Sequence, residues 1–392
     1  MIAVANELPA RYQSVRRDTE TLVGNLTEED QSVQSMPDAS PAKWHRAHTT
    51  WFFEQFVLVP HISGYRVFDP AFSFLFNSYY DAVGDRHPRP SRGLLTRPPV
   101  RQVTEYRRYV DAAMRRALPG LPASVLPIVE LGLQHEQQHQ ELLMTDLLHA
   151  FAANPLCPAV LPDWREPEGD PAETAFIRFP AGLHRIGHDG RGFCFDNETP
   201  SHRVWLDDFS IASRLVRNRD WLAFIEDGGY RTPPLWMSDG WAAAQAGGWD
   251  SPLYWRKHDG RRFQFGPGGL VSLAMNAPVR HVSWYEADAF ARWSGARLPT
   301  EAEWEIAGSN PEMREQYGHV WQWTESAYRP YPGYRPEKGA IGEYNGKFMI
   351  NQMVLRGGAS ATPRGHARPT YRNFFHPDKR WQFAGLRLAR NV

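Results

Sequence analysis

Over roughly the first 150 residues, apolar side chains recur at helical spacing. In LPARYQSVRRDTETLVGNL (8–26) the stripe runs through Leu8, Tyr12, Val15 and Leu22, with Gly24 near the end. SPAKWHRAHTTWFFEQFVLVPHI (40–62) opens with Ser40 as an N-cap and Pro41 at the first helical position, followed by an amphipathic run. VTEYRRYVDAAMRRAL (103–118) places apolar or aromatic residues at 103, 106, 109, 110 and 114 and stops before Pro119-Gly120. The fourth segment is ASVLPIVELGLQHEQQHQELLMTDLLHAFAA (123–153). Four long helices with short connections predict an up-and-down bundle over residues 1–153. The pattern breaks at NPLCPAVLPDWREPEGDPAE (154–173), which is rich in proline and acid, lacks periodicity and reads as a linker. From 174 to 392 the texture is short β-type runs (HRVWLDDFSIA, MVLRGGAS, FAGLRLAR) between Gly/Pro/Asn turns, with brief helices near 218–227 and 284–295. The predicted fold class is α+β multidomain: a four-helix bundle, then a mixed α+β domain with much irregular backbone.

Composition narrows the function classes. Of 392 residues, 44 are Lys or Arg and 44 are Asp or Glu, so bulk charge gives no reason to expect nucleic acid or an anionic membrane as partner. No apolar run approaches the ~18 residues of a membrane helix, and MIAVANELPARYQ lacks a signal-peptide pattern. Two cysteines, Cys157 and Cys194, cannot build a disulfide framework, and a reducing cytoplasm is the expected compartment. The 15 Trp, 15 Tyr and 21 Phe fit aromatic-lined pockets that hold small molecules.

The candidate chemistry sits in LGLQHEQQHQELLMTD (131–146). His135 and His139, four apart, share one helix face, and Leu131, Leu133, Leu142, Leu143 and Leu147 around them turn that face into the bundle. Buried imidazoles need partners, and a metal ion satisfies two at once. A third ligand from another helix would be His48, which begins the run containing Trp51, Phe52 and Phe56, or His45 one turn earlier. Three neutral histidines leave coordination positions open, which serves zinc hydrolysis and iron–oxygen chemistry alike; spacing does not choose between them.

Longer motifs do choose. HRAHTTWFFE, FLFNSYYDAVGDRHPRPSRG and HEQQHQE resemble the N-terminal DinB-like bundle of the ergothioneine sulfoxide synthases. RLPTEAEWE, GHVWQWTESAYRPYPGYRP, GEYNGKF, VLRGGAS and YRNFFHPDKRWQFAGLRLAR resemble their C-terminal domain, which is like formylglycine-generating enzymes and C-type lectins. The matches keep their order from about residue 40 to the C-terminus. The resemblance implies a mononuclear Fe(II) held by His48, His135 and His139, with O2 used to join a sulfur donor to the imidazole C2 of hercynine (trimethylhistidine). It also implies that Gln138 contacts the substrate imidazole and that Tyr79 or Tyr80 supplies a proton. Asn373, Phe374 and Phe375 would receive the betaine end, and the second domain would complete the substrate pocket. A quaternary ammonium carries no hydrogen-bond donor and is held by aromatic faces, which TYRNFF provides. Arg86, Arg89 and Arg92 in GDRHPRPSRG suit a carboxylate or other oxygen-rich group on the donor.

Several positions depart from the family pattern: Arg217 in RLVRNRDW, His319 and Gln322 in GHVWQW, and Ala359 in GGASAT. They lie outside the histidine segments and direct attention to the donor. A related branch, the selenoneine synthases, joins a selenosugar to hercynine, and the departures fit that branch at least as well as an enzyme using cysteine or γ-glutamylcysteine. Two competitors come from other classes: a zinc-dependent thiol transferase or hydrolase, and a non-catalytic ligand-binding module. Formylglycine generation fits poorly, because that chemistry needs cysteines and the second domain has only Cys194.

Overall fold

The computed structural model describes residues 2–336, 342 and 345–392, with residues 2–6 as backbone alone. GEYNGKF therefore lies partly outside the described residues, at Glu343 and Tyr344. The chain divides into two compact units, Met1–Pro162 and Asp163–Lys338 with Asn345–Val392. Among the described residues, no helix is long and apolar enough to cross a membrane.

The first unit is built on helices α1 (Ile2–Leu22), α2 (Ala42–Phe53), α3 (Val100–Ala117) and α4 (Leu126–Ala152). A π-helical turn, Glu54–Leu58, prolongs α2. Helix α4 tolerates Pro127 because it stands in the first turn, where its missing N–H has no intrahelical partner. Bonds between helices fix their directions. Arg16 to Thr50 and Arg46 to Glu20 set α1 against α2, and Tyr12 to Asp111 with Arg107 to Glu20 sets α1 against α3. Arg11 to Glu130 and Arg16 to Glu136 run α1 and α4 in the same direction. The order is therefore up-down-down-up. The simple alternation expected from short connections fails because residues 62–99 form a long crossover between α2 and α3. The cap differs too. Pro41 occupies the N-cap position of α2 with no side-chain bond. Ser40 is instead used sideways, its N–H donating to Asp146 at 2.8 Å and its hydroxyl accepting from Arg92 at 2.9 Å.

Two features hold α4 in register. Glu136 is fully buried, with Oε2 accepting from Arg16 at 2.9 Å and Oε1 from Arg107 at 2.9 Å and Thr19 at 2.6 Å. Its carboxyl is held down at about 2: burial opposes ionisation, but the two guanidiniums and the hydrogen bonds outweigh it. Gly132 allows α2 and α4 to approach closely. A Cβ there would stand 2.6 Å from a ring carbon of Phe53 and 2.9 Å from Phe52.

The second unit has short sheets between loops. Strands β1 (Phe176–Phe179), β2 (Gly182–Ile186), β3 (His202–Leu206) and β4 (Phe209–Ala212) come first, then α5 (Asn218–Glu226) and α6 (Ser238–Ala246). A meander follows, β5 (Trp255–His258), β6 (Arg261–Gly266) and β7 (Gly269–Ser272), then α7 (Trp284–Trp293) and α8 (Glu301–Ala307). Last come β8 (Trp321–Ala327), β9 (Met353–Arg356), β10 (Asn373–Phe375), β11 (Ala384–Leu386) and β12 (Ala389–Asn391). The largest sheet has the order β10-β9-β8-β11, β11 running parallel to β8; a second has the order β1-β4-β12. RLPTEAEWE is a helix start: Thr300 and Glu303 form a reciprocal capping box on α8, and Arg297 pairs with Glu303. The brief helices at 218–226 and 284–293 match expectation, whereas α6 and α8 were not anticipated.

Candidate metal centre

His48 on α2 and His135 and His139 on α4 converge inside the first unit, each offering a ring nitrogen, all within 4.8 Å of one another. His48 Nδ1 donates to the Phe76 carbonyl at 2.6 Å, which commits that nitrogen as N–H and leaves Nε2 to face inward. Its Nε2 lies 3.2 Å from Nε2 of His135, a separation spanned by a shared proton or a cation. Burial lowers the basicity of all three rings. His48 and His139 fall well below the usual imidazole range, with neighbouring imidazoles adding to the effect, and His135 falls to about 3. All three are neutral near pH 7 and keep the lone pairs a metal needs. Three nitrogens on one side with no carboxylate among them fit a divalent ion of borderline softness with positions left open.

His45 is not the third member. Its Nδ1 lies 2.8 Å from Nδ1 of His139, and its Nε2 lies 3.0 Å from Asp146 Oδ2. From the sequence His45 is expected only as a ligand, and Asp146 is not expected at the site. The available signal was spacing: Asp146 follows His139 by seven residues, two helical turns on the same face, within an apolar run.

An aromatic shell surrounds the cluster. Trp44 and Trp51 stack near-parallel to the His48 ring at 4.6 Å and 5.6 Å, and Phe52 lies 5.1 Å from His135. Tyr80 is buried in this shell, 5.6 Å from Trp51 and 5.1 Å from Phe56, with Tyr79 stacked on it at 4.7 Å. Asn77 fixes the Tyr80 backbone by accepting from its N–H and donating to its carbonyl. Gln138 is half-buried on the face of α4 that carries His135 and His139.

The three arginines of GDRHPRPSRG separate. Arg86 is exposed and paired with Asp81. Arg89 is exposed. Arg92 is buried, its guanidinium 3.3 Å from the Trp44 ring centre and hydrogen-bonded to the hydroxyls of Ser40 and Ser78.

In the second unit, Asn373, Phe374 and Phe375 form β10, all half-buried. Phe374 stacks on Tyr328 at 4.0 Å, Phe375 meets Trp381 edge-on at 5.7 Å, and Asn373 Oδ1 accepts from the Phe374 N–H. The four departures have scaffold contacts. Gln322 is fully buried: its Oε1 accepts from Trp304 at 2.8 Å and Arg387 at 3.0 Å, and its Nε2 donates to the Gln316 carbonyl. Arg217 donates to the carbonyls of Pro171 and Ala172, His319 Nδ1 lies 3.1 Å from the Tyr317 carbonyl, and Ala359 is buried beside Thr362. All of these contacts lie within the second unit.

A helical bundle with a buried three-histidine cluster, followed by a loop-rich domain of short sheets, defines the class. Residues 11–143 match the DinB superfamily, and residues 164–317 and 309–392 match the sulfatase-modifying factor enzyme 1-like domain. The chain is 33% identical over 368 residues to the hercynine oxygenase of Mycolicibacterium smegmatis, covering 80% of this chain and 83% of that one. It is 31% identical over 411 residues to the hercynine oxygenase of Mycobacterium tuberculosis, covering 91% and 92%. A formylglycine-generating enzyme of Streptomyces coelicolor is 35% identical over 149 residues, 33% of this chain and 46% of that one. The chain belongs to the hercynine oxygenase family.

Proposed function

We propose that this chain is an Fe(II)- and O2-dependent enzyme that joins a chalcogen donor to the imidazole C2 of hercynine, forming a carbon–selenium bond from a selenosugar in preference to a carbon–sulfur bond from cysteine or γ-glutamylcysteine. The observation that carries the reading is the convergence of three buried, neutral imidazoles with no carboxylate among them, in a chain of this family. Bound Fe(II) would supply open coordination positions and the redox chemistry that O2 requires. With the donor's chalcogen present as a selenol, or as a thiol, the atoms balance: the C2 hydrogen and the chalcogen-bound hydrogen leave with one oxygen atom as water, and the other oxygen stays on selenium as the selenoxide or on sulfur as the sulfoxide.

The protein's own groups bind, orient and exclude water. Gln138 offers an amide to the substrate imidazole beside the histidines. Tyr80, or Tyr79 stacked on it, holds the proton that reduced oxygen takes up. Trp51 and Phe52 keep the cluster dry, which strengthens every polar contact made there. Phe374 and Phe375 present aromatic faces suited to a trimethylammonium group, with Asn373 beside them.

The donor reading rests on the arginines. Arg86 is engaged by Asp81, and Arg92 by two hydroxyls and Trp44. Among the described residues, Arg89 alone of the three is exposed with no carboxylate bonded to it. One guanidinium offers donors to sugar hydroxyls as well as to a carboxylate, and nothing to the ammonium of an amino-acid donor. The test is anaerobic Fe(II) reconstitution, then O2, hercynine and each of a selenosugar, cysteine and γ-glutamylcysteine, with products identified by mass spectrometry. A hercynine–selenium adduct formed fastest with the selenosugar is expected. Faster turnover with either thiol would refute the donor, and no adduct from any donor would refute the reaction.

A further inference from the structure

We infer that His45 and Asp146 form a hydrogen-bonded relay that positions the metal ligand His139, making both residues determinants of metal affinity although neither touches the ion. The inference rests on the three-histidine reading above and extends it to two residues outside the ligand set.

The proton arrangement follows from the atoms. A neutral imidazole has one N–H and one lone pair. His139 Nδ1 faces His45 Nδ1 at 2.8 Å, so the lone pair His139 offers an ion is on Nε2 and its Nδ1 carries the hydrogen. His45 must then accept at Nδ1 and carry its own hydrogen on Nε2. That nitrogen lies 3.0 Å from Asp146 Oδ2, a carboxylate oxygen that can only accept when ionised. Every link is satisfied by one set of protons, with all donors pointing toward Asp146. The reverse set fails, because His139 would lose its lone pair on the metal side and Asp146 would face an imidazole lone pair.

The relay is built rather than incidental. His45, His139 and Asp146 are all buried, and the oxygen that faces His45 is also held by the Ser40 N–H, which donates to the same Oδ2 at 2.8 Å. His48 reaches the same tautomer by another route, through Nδ1 to the Phe76 carbonyl. Two ligands on two helices thus present Nε2 by design of their outer partners. An imidazole that donates to an imidazole–carboxylate pair is also a better electron donor at its far nitrogen, and losing such an outer partner typically lowers metal affinity 10–100-fold.

The test is Co(II) titration of the full-length apo protein, followed by the visible absorption of the bound ion. Three substitutions separate positioning from packing. His45→Leu keeps bulk and removes both nitrogens. His45→Gln restores an acceptor for His139. Asp146→Asn removes the charge at the end of the chain. The expected result is a 10–100-fold loss of Co(II) affinity in His45→Leu, substantial recovery in His45→Gln, and about a tenfold loss in Asp146→Asn that disappears in the His45→Leu background. Changes in thermal stability of the apo protein should not follow that order. Wild-type affinity in His45→Leu, or an Asp146→Asn loss equally large with and without His45, would overturn the relay. Failure of the wild type itself to bind Co(II), with His135→Ala indistinguishable from it, would overturn the metal reading and the relay together, a pattern distinct from failure of the relay alone.

Discussion

Replacing Glu136 with Gln tests the reasoning about what holds α4, and with it two of the three histidines, in place. The carboxylate is fully buried between Arg16, Arg107 and Thr19. Its folded pKa of about 2 lies below the 4.5 of a free glutamate. The folded value is the lower one, so the ionised group stabilises the fold above about pH 4.5, and the contribution fades as pH falls toward 2. At about 1.4 kcal/mol per unit, the difference amounts to about 3 kcal/mol near neutral pH. Gln resembles the protonated acid but turns an N–H2 toward guanidinium donors, so the loss should be at least that large. Amide hydrogen exchange along residues 126–152 of the apo protein isolates this helix from the second unit. Exchange should accelerate by roughly 300-fold at pH 7 in Glu136→Gln, and the ratio should shrink steadily below about pH 4.5. Acceleration of less than about tenfold, or a ratio equally large at pH 3 and pH 7, would show that the buried carboxylate is not the clamp described.

Three further outcomes follow from single contacts. Gly132→Ala drives a methyl into Phe52 and Phe53, both fully buried, and should cost about 1–3 kcal/mol in thermal unfolding while weakening Co(II) binding, since the Phe52 ring packs against His135. His139→Ala should abolish stoichiometric Fe(II) binding, measured by metal analysis after anaerobic gel filtration; retention of one iron per chain would remove it from the ligand set. Gln322→Leu deprives Trp304 and the buried Arg387 of their shared acceptor and should cost about 2–3 kcal/mol in denaturant unfolding. Donor preference, measured in the folded fraction by competition, should be unchanged, because Gln322 is committed to the scaffold.

The sequence was most legible where periodicity is long. Four helices stood out because each has a continuous buried stripe, and the HxxxH pair stood out because two histidines interrupt one. Their direction was not legible: the crossover over 62–99 is irregular, and only successive contacts such as Arg11 with Glu130 and Arg16 with Glu136 reveal that α1 and α4 run parallel. Short elements were harder. Helix α8 is a single capped stretch whose start, Thr300 and Glu303, is visible only to someone looking for a capping box. The outer partners of the site were missed for a different reason. Asp146 and the Phe76 carbonyl act through three-dimensional proximity, and a backbone carbonyl leaves no trace in a sequence at all. The departures at Arg217, His319, Gln322 and Ala359 stand out only against the family pattern, and the bonds they make lie within their own domain.

The central claim is that three histidines hold an iron whose reaction with O2 needs hercynine and a chalcogen donor. Oxygen uptake by the Fe(II)-loaded protein tests it most directly, with hercynine alone, donor alone, and both together. Rapid, product-matched uptake is expected only when both are present, with none after zinc substitution or in His135→Ala. Uptake indifferent to hercynine, or turnover that proceeds with zinc and without O2, would contradict it.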